Sequence, residues 1–243
     1  MDWQKWSDRL KKHLNLATDP VAVVFANGPM PGGAQAHGKV SVCQALKRAS
    51  EGEILTISVE TCGCAGGLVS LGLGQMPQQG KEKLVDFLVN KEKVYCSRMA
   101  LHRSQQVVLA PVGAASHVVF CPLSKAIILP DLVALMGTPG SLHSVLGLAA
   151  YWEGSSILAE LTGPACRTAI TYPVLTGQIG LSLLDHGARR LARFGEDQVL
   201  VAIPFHRMMG IMEAVDRGVG AGRADDTATA ERQIDELGGV EKV

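Results

Sequence analysis

The chain reads as an α/β or α+β protein, a mixed β-sheet flanked by helices within one compact domain. Two observations predict this. Apolar, partly β-branched runs alternate with segments of helical period over most of the length. Hydrophobic residues make up 47% of the 243 positions and aromatics only 5%, so a large core must be packed from Val, Leu, Ile and Ala.

A first helix is expected over residues 1–17, where Trp3, Trp6, Leu10, His13 and Leu14 recur at helical spacing. Its apolar face either packs within the chain or makes a homodimer contact. Asp19-Pro20 ends it, because a residue before proline avoids helical geometry. Residues 20–26 are a buried strand, and the Gly- and Pro-rich residues 27–39 a loop. A helix over 42–49 carries Cys43 in its first turn. Residues 54–59 form a strand that runs directly into Cys62-Gly63-Cys64. Residues 68–74 have helical composition, and 81–90 are helical with Leu84, Phe87 and Leu88 on one face.

Residues 105–112 and 126–136 are expected as strands, the second broken by Pro130. Gly137-Thr138-Pro139-Gly140 opens a helix over 141–152. Then come a strand over 156–161, a short helix over 166–172 closed at Pro173, and strands over 178–183 and 199–203. A final helix runs from Pro204 through Val215. After Arg217 the composition shifts to Gly, Ala, Asp, Thr and Glu. The folded domain is therefore expected over 1–217, with 218–243 a loose polar tail.

Formal net charge is zero, which removes the electrostatic footprint of a nucleic-acid binder and of a polybasic membrane anchor. No apolar run is long enough to span a bilayer, and the N-terminus lacks the pattern of a secretory signal. A cytoplasmic location is the expectation. Six cysteines in such a chain do not suggest a disulfide framework, and their spacing is not that of a zinc ribbon. There is no phosphate-binding Gly-x-x-x-x-Gly-Lys-Ser/Thr loop, no His-Glu-x-x-His and no Gly-x-Ser-x-Gly elbow.

The chemistry sits in three cysteine segments. Cys43 begins a helix after the Gly-rich loop, and a helix N-terminus favours the thiolate. Cys62 and Cys64 flank Gly63 and precede Ala65-Gly66-Gly67, where small residues let backbone come close to a bound group. Cys166 follows Gly163-Pro164-Ala165 into another helix start. Thiolates placed this way suit a soft metal or an iron–sulfur cluster. Asp185 and His186 follow a strand and offer a carboxylate or imidazole, with Arg189 and Arg190 to balance an anion. Cys96 and Cys121 read as packing residues. His206, Met208, Met209 and Met212 raise haem ligation as an alternative, although methionines at helical spacing more often form core.

One combination is more specific than its parts. It comprises Pro20-Val-Ala-Val, Cys43-Gln-Ala-Leu, Cys64-Ala-Gly-Gly with Leu71-Gly-Leu-Gly, Pro130-Asp-Leu-Val, Cys166, and Asp197 with Ile203-Pro204. In order and spacing, from about residue 15 to 215, it resembles the DUF169 family, uncharacterised proteins found mostly in anaerobic bacteria and archaea. The resemblance implies no settled reaction. It does imply a shared site at Cys43, Cys64 and Cys166. Many relatives carry a further cysteine where this chain has Asp185, followed by Gly187 and Arg189. Four cysteines there would suggest a [4Fe–4S] cluster. Here the implied ligands are three thiolates, with Asp185, His186, Cys62, water or substrate on the fourth iron.

Three readings of function follow. The first is a [4Fe–4S] protein with a redox or Lewis-acid role on a small molecule. The second is a metal-free enzyme with Cys64 as nucleophile and His186 as base. The third is a carrier module for haem, another metal or a corrinoid-like cofactor.

Overall fold

Strands that read as apolar at nearly every position do so because helices cover both faces of the sheet they form. The computed structural model describes residues 1–28, 38–104, 109–154, 157–161 and 163–220. Among these, the strands are β1 (Val21–Ala26), β2 (Leu55–Ser58), β3 (His117–Pro122), β4 (Leu132–Gly137), β5 (Gly180–Ser182) and β6 (Val199–Pro204). They make one sheet in the order β2-β3-β1-β4-β6-β5. Every pairing within it is antiparallel. Of the two fold classes expected, the chain is therefore α+β. The helical connections from β1 to β2 and from β4 to β5 join strands that run the same way, and in each case an antiparallel strand, β3 or β6, lies between them in the sheet.

The period of two along each strand divides the core. Val21 and Val23, Val118 and Phe120, Leu132 and Ala134, and Leu200 and Ala202 point to one face. Helices α2 (Val42–Ser50), α3 (Ala65–Ser70) and α8 (His186–Ala192) lie there, with the helix leading into α7 (Tyr172–Thr176). Ala22, Cys121, Val133, Leu135, Val201 and Ile203 point to the other, beneath α1 (Trp3–Leu14), α6 (Pro139–Glu153) and α9 (Phe205–Asp216). Two further helices, α4 (Gln78–Asp86) and α5 (Arg98–Ser104), bury only Leu101 between them. Trp3 and Trp6 pack edge-on at 5.5 Å, and both contact Phe205, so the aromatic face of α1 is used within the chain.

Several boundaries differ from expectation for local reasons. Helix α1 stops at Leu14, because Asn15 takes a left-handed cap and its amide bonds the Lys11 carbonyl. Residues 126–131 are not strand. Pro130 has no amide to donate, and Asp131 instead binds β1, its carboxylate accepting from the Phe25 amide at 2.7 Å and its amide donating to Val23 O at 2.9 Å. Strand β3 falls in residues 113–125, where no strand was expected. The described parts of 105–112 and 156–161 form no strand; residues 105–108 and 156 lie outside the described residues, as do most of the 27–39 loop and the tail from 221. Pro173 does not close its helix. A π-helical turn at Arg167–Thr171 absorbs the missing amide, and the helix continues to Thr176. Of the two cysteines read as packing residues, Cys121 is buried and Cys96 is exposed. No helix among the described residues is long and apolar enough to cross a membrane.

Phe120 is fully buried in β3, whereas Ile127 is 63% exposed. Phe120→Ala is expected to cost about 3–5 kcal/mol of unfolding free energy, and Ile127→Ala less than about 0.5 kcal/mol. Urea titration of both variants checks this.

Candidate functional site

Four chain segments meet on the first face of the sheet. The start of α2 is set by a reciprocal cap: Ser41 Oγ accepts from the Gln44 amide at 3.2 Å, and the Gln44 side chain accepts from the Ser41 amide at 2.9 Å. Cys43 is therefore held in the first turn of α2. Just before the cap, the Val40 amide donates to Thr61 O at 2.9 Å and the Gly63 amide to Val40 O at 2.8 Å. These bonds lash the Cys62-Gly63-Cys64 segment to the head of α2. A Cβ on Gly63 would lie 2.9 Å from the Val40 carbonyl carbon, so only glycine permits this approach.

Cys64 is the N-cap residue of α3. A Cβ on Gly67 would meet Val42 Cγ2 at 2.4 Å and Cys64 Sγ at 2.8 Å. One on Gly66 would lie 3.9 Å from Cys166 Sγ. The bare backbone of Gly66 and Gly67 thus runs directly beside two sulfurs. At the far end of α3, Ser70 Oγ is 3.7 Å from Cys166 Sγ. Thr171 Oγ1 donates to Ser70 O at 2.8 Å, joining α3 to the Cys166 helix.

Asp185 closes the arrangement. One carboxylate oxygen accepts from the Ala188 amide at 3.1 Å and caps α8. The other accepts from the Ala165 amide at 2.8 Å. A single carboxylate therefore ties the Cys166 turn to α8.

The thiols differ electrostatically. Burial pushes Cys43 well above the ordinary thiol range, and the nearby Cys166, Asp185 and Cys64 push it further. Burial, then Cys64, raises Cys166 to about 12. Cys64 is lowered to about 6, chiefly by the hydrogen bond from the Cys62 thiol and also by the Val42 and Gly67 amides, against the opposing cost of burial. Cys62 is correspondingly raised, first by donating to Cys64 and then by burial. Cys43, Cys62, Cys64, Cys166 and Asp185 thus form one interacting group.

The remaining expected residues fall elsewhere or serve other contacts. The His186 side chain is 73% exposed, 3.9 Å from Glu92. The Arg189 guanidinium donates to the carbonyls of Leu183, Gln198 and Gly195, which holds the turn after α8. Met208 and Met212 are buried in the opposite core, beneath α1 and α6. Sequence reasoning passed over Ser70, Thr171 and Arg167. Arg167 follows Cys166, is 4% exposed, pairs with Glu160 at 2.9 Å and donates to Ser104 O at 2.8 Å. An arginine inside an otherwise uncharged, buried helix was the available signal, since a buried cation needs a partner.

Among the described residues, no three or more His, Cys, Asp or Glu side chains are gathered to hold a single metal ion. One ion needs its sulfurs at about 2.3 Å from a common point. A cluster takes its thiolates at separate irons and does not require them to converge on one point.

Comparison with known proteins agrees with this layout in extent. The DUF169 family model, described as an uncharacterised ArCR family, matches residues 9–214. An uncharacterised protein of Methanocaldococcus jannaschii is 23% identical over 183 residues, covering 72% of this chain and 75% of its own. No solved structure matches the chain.

Two outcomes follow from the geometry. In the metal-free chain, the rate of iodoacetamide labelling at Cys64 is expected to rise with pH through a midpoint of about 6. Cys62→Ala, which removes the stabilising donor, moves that midpoint upward; mass spectrometry of labelled peptides reads both. Asp185→Ala is expected to cost about 2–4 kcal/mol in urea titration, more than loss of a cap alone, because the buried Ala165 amide is also left unpaired.

Proposed function

The chain belongs to the DUF169 family, and on that premise we propose that it is an iron–sulfur protein whose [4Fe–4S] cluster is held by Cys43, Cys64 and Cys166. The observation that carries this reading is convergence. Three cysteines far apart in sequence, each at the start of a helix, share one face with the bare Gly66-Gly67 backbone beside two of their sulfurs. When bound, such a cluster supplies one-electron transfer or, at an iron with an open position, Lewis acidity toward a small molecule.

The protein's own residues set the terms. Burial raises Cys43 and Cys166 in the metal-free chain, so a cationic cluster must displace their protons. Binding is then expected to strengthen as pH rises. Ser70 is positioned to turn its hydroxyl toward the Cys166 sulfur once that thiol is deprotonated. Both oxygens of Asp185 already accept backbone amides, which favours Cys62 or an exchangeable small molecule over Asp185 at the fourth iron. A protein ligand there makes a redox carrier; an exchangeable one makes an enzyme. The free thiols fit a reducing, cytoplasmic and oxygen-poor setting.

One observation favours a second reading, a metal-free enzyme with Cys64 as nucleophile: its thiol is held down to about 6. His186, the base expected for this reading, is exposed with its ring 3.9 Å from Glu92.

Anaerobic purification and reconstitution should give about four irons and four sulfides per chain with broad visible absorption. Cys43→Ser, Cys64→Ser and Cys166→Ser are each expected to lose the colour, and Asp185→Asn to retain it. A chain that stays colourless and iron-free after reconstitution sinks the cluster reading and leaves Cys64 as nucleophile; a sharp Soret band would put haem first.

A further inference from the structure

Two thiols in this protein sit side by side with unequal access to solvent. Cys62 is 8% exposed, whereas Cys64 is half-buried. The backbone around them is fixed. The Cys62 amide donates to Ser58 O at 2.9 Å, Gly63 to Val40 O at 2.8 Å, and Leu68 to Cys64 O at 3.0 Å. Within that frame the Cys62 side chain folds toward Cys64, its Sγ 3.4 Å from the Cys64 carbonyl oxygen. Cα atoms two residues apart lie within about 7 Å, the outer limit for a disulfide. Cys121 is on the other face of the sheet and Cys96 is exposed, so neither competes for this contact.

We propose that Cys62 and Cys64 are a redox-active dithiol that closes to an intramolecular disulfide by exchange with a small disulfide such as glutathione disulfide. Their different exposures set the order of events. The sulfur of Cys64, the less buried of the two residues, attacks as thiolate one sulfur of glutathione disulfide, forms a mixed disulfide and expels one glutathione thiolate. Buried Cys62 then gives up its proton and attacks the Cys64 sulfur. The mixed bond breaks, the second glutathione thiolate leaves, and the internal disulfide forms. In total two electrons and two thiol protons pass from the protein to one glutathione disulfide, giving two molecules of glutathione. The reaction concerns these sulfurs when no metal occupies them, so it does not depend on the cluster reading.

Trypsin gives a direct test. Residues 49–81 contain no internal Lys or Arg and carry Cys62 and Cys64 as their only cysteines. The chelator-treated full-length chain, shown by circular dichroism to be folded, is incubated with glutathione disulfide, blocked with iodoacetamide and digested. The expected product is the 49–81 peptide lighter by two hydrogens and carrying no alkyl group. Cys62→Ser should instead accumulate a single glutathione adduct on Cys64. The proposal is overturned if the wild-type chain keeps a stable mixed disulfide, stays fully alkylated, or cross-links this peptide to the one bearing Cys43 or Cys166. Iron analysis of the untreated chain is read separately. Failure to find iron leaves a positive result standing, and iron binding without disulfide formation overturns the dithiol alone.

Discussion

Coverage of the sheet on both faces is the constraint from which the rest of the structure follows. Strands β1, β4 and β6 at its centre are buried above and below, so helices must arrive on each side to remove their apolar edges from water. The helices that arrive on one side are α1, α6 and α9, joined by conventional aliphatic and aromatic packing. On the other side, α2, α3 and the Arg167–Thr171 turn begin at the cysteine segments, and α8 begins at Asp185. The division of labour is a division of faces: one closes the core, and the other closes it while gathering thiols and a carboxylate.

Placing thiols against a core has an electrical cost that the structure distributes unevenly. Cys43 and Cys166 are held as neutral thiols by burial. Cys64 alone is favoured as thiolate, because one thiol and two backbone amides point at it. Asp185 is the other anion in the group, and its charge is spread over two amide donors. The arrangement therefore holds limited negative charge by itself and is receptive to added positive charge.

Much of this was legible in the residues. The buried strands at 21–26 and 199–203 announce themselves as apolar runs, and the Ser41-Val-Cys-Gln44 order carries a capping box that fixes where Cys43 sits. Gly63 and Gly67 were readable as places of close approach, though not what approaches: the Val40 backbone in one case, Val42 and a sulfur in the other. What stayed hidden was long-range. The Asp185 carboxylate gives no sign in the sequence that it accepts from the Ala165 amide, twenty positions earlier. Strand direction was equally hidden, because a helical crossover in sequence looks the same whether the chain returns parallel or antiparallel. Strand β3 lies among turn-forming residues whose apolar core, Val118 to Cys121, is short enough to pass as linker.

The carboxylate bridge between Ala165 and α8 also bears on how the protein is made. Cys43, Cys62 and Cys64 leave the ribosome early and together, joined by local backbone bonds around Val40. Cys166 follows after a long interval, and the group that braces it comes later still, at Asp185. β6, the strand that completes the pairing of β4, is the last of the described strands to emerge. During synthesis the early thiols therefore spend an extended period without the partners that surround them in the finished fold. The site matures in time from its amino-terminal half to its carboxy-terminal half, and a chain cut short before Arg167 would keep its reactive cysteines while lacking the helix and brace that enclose them.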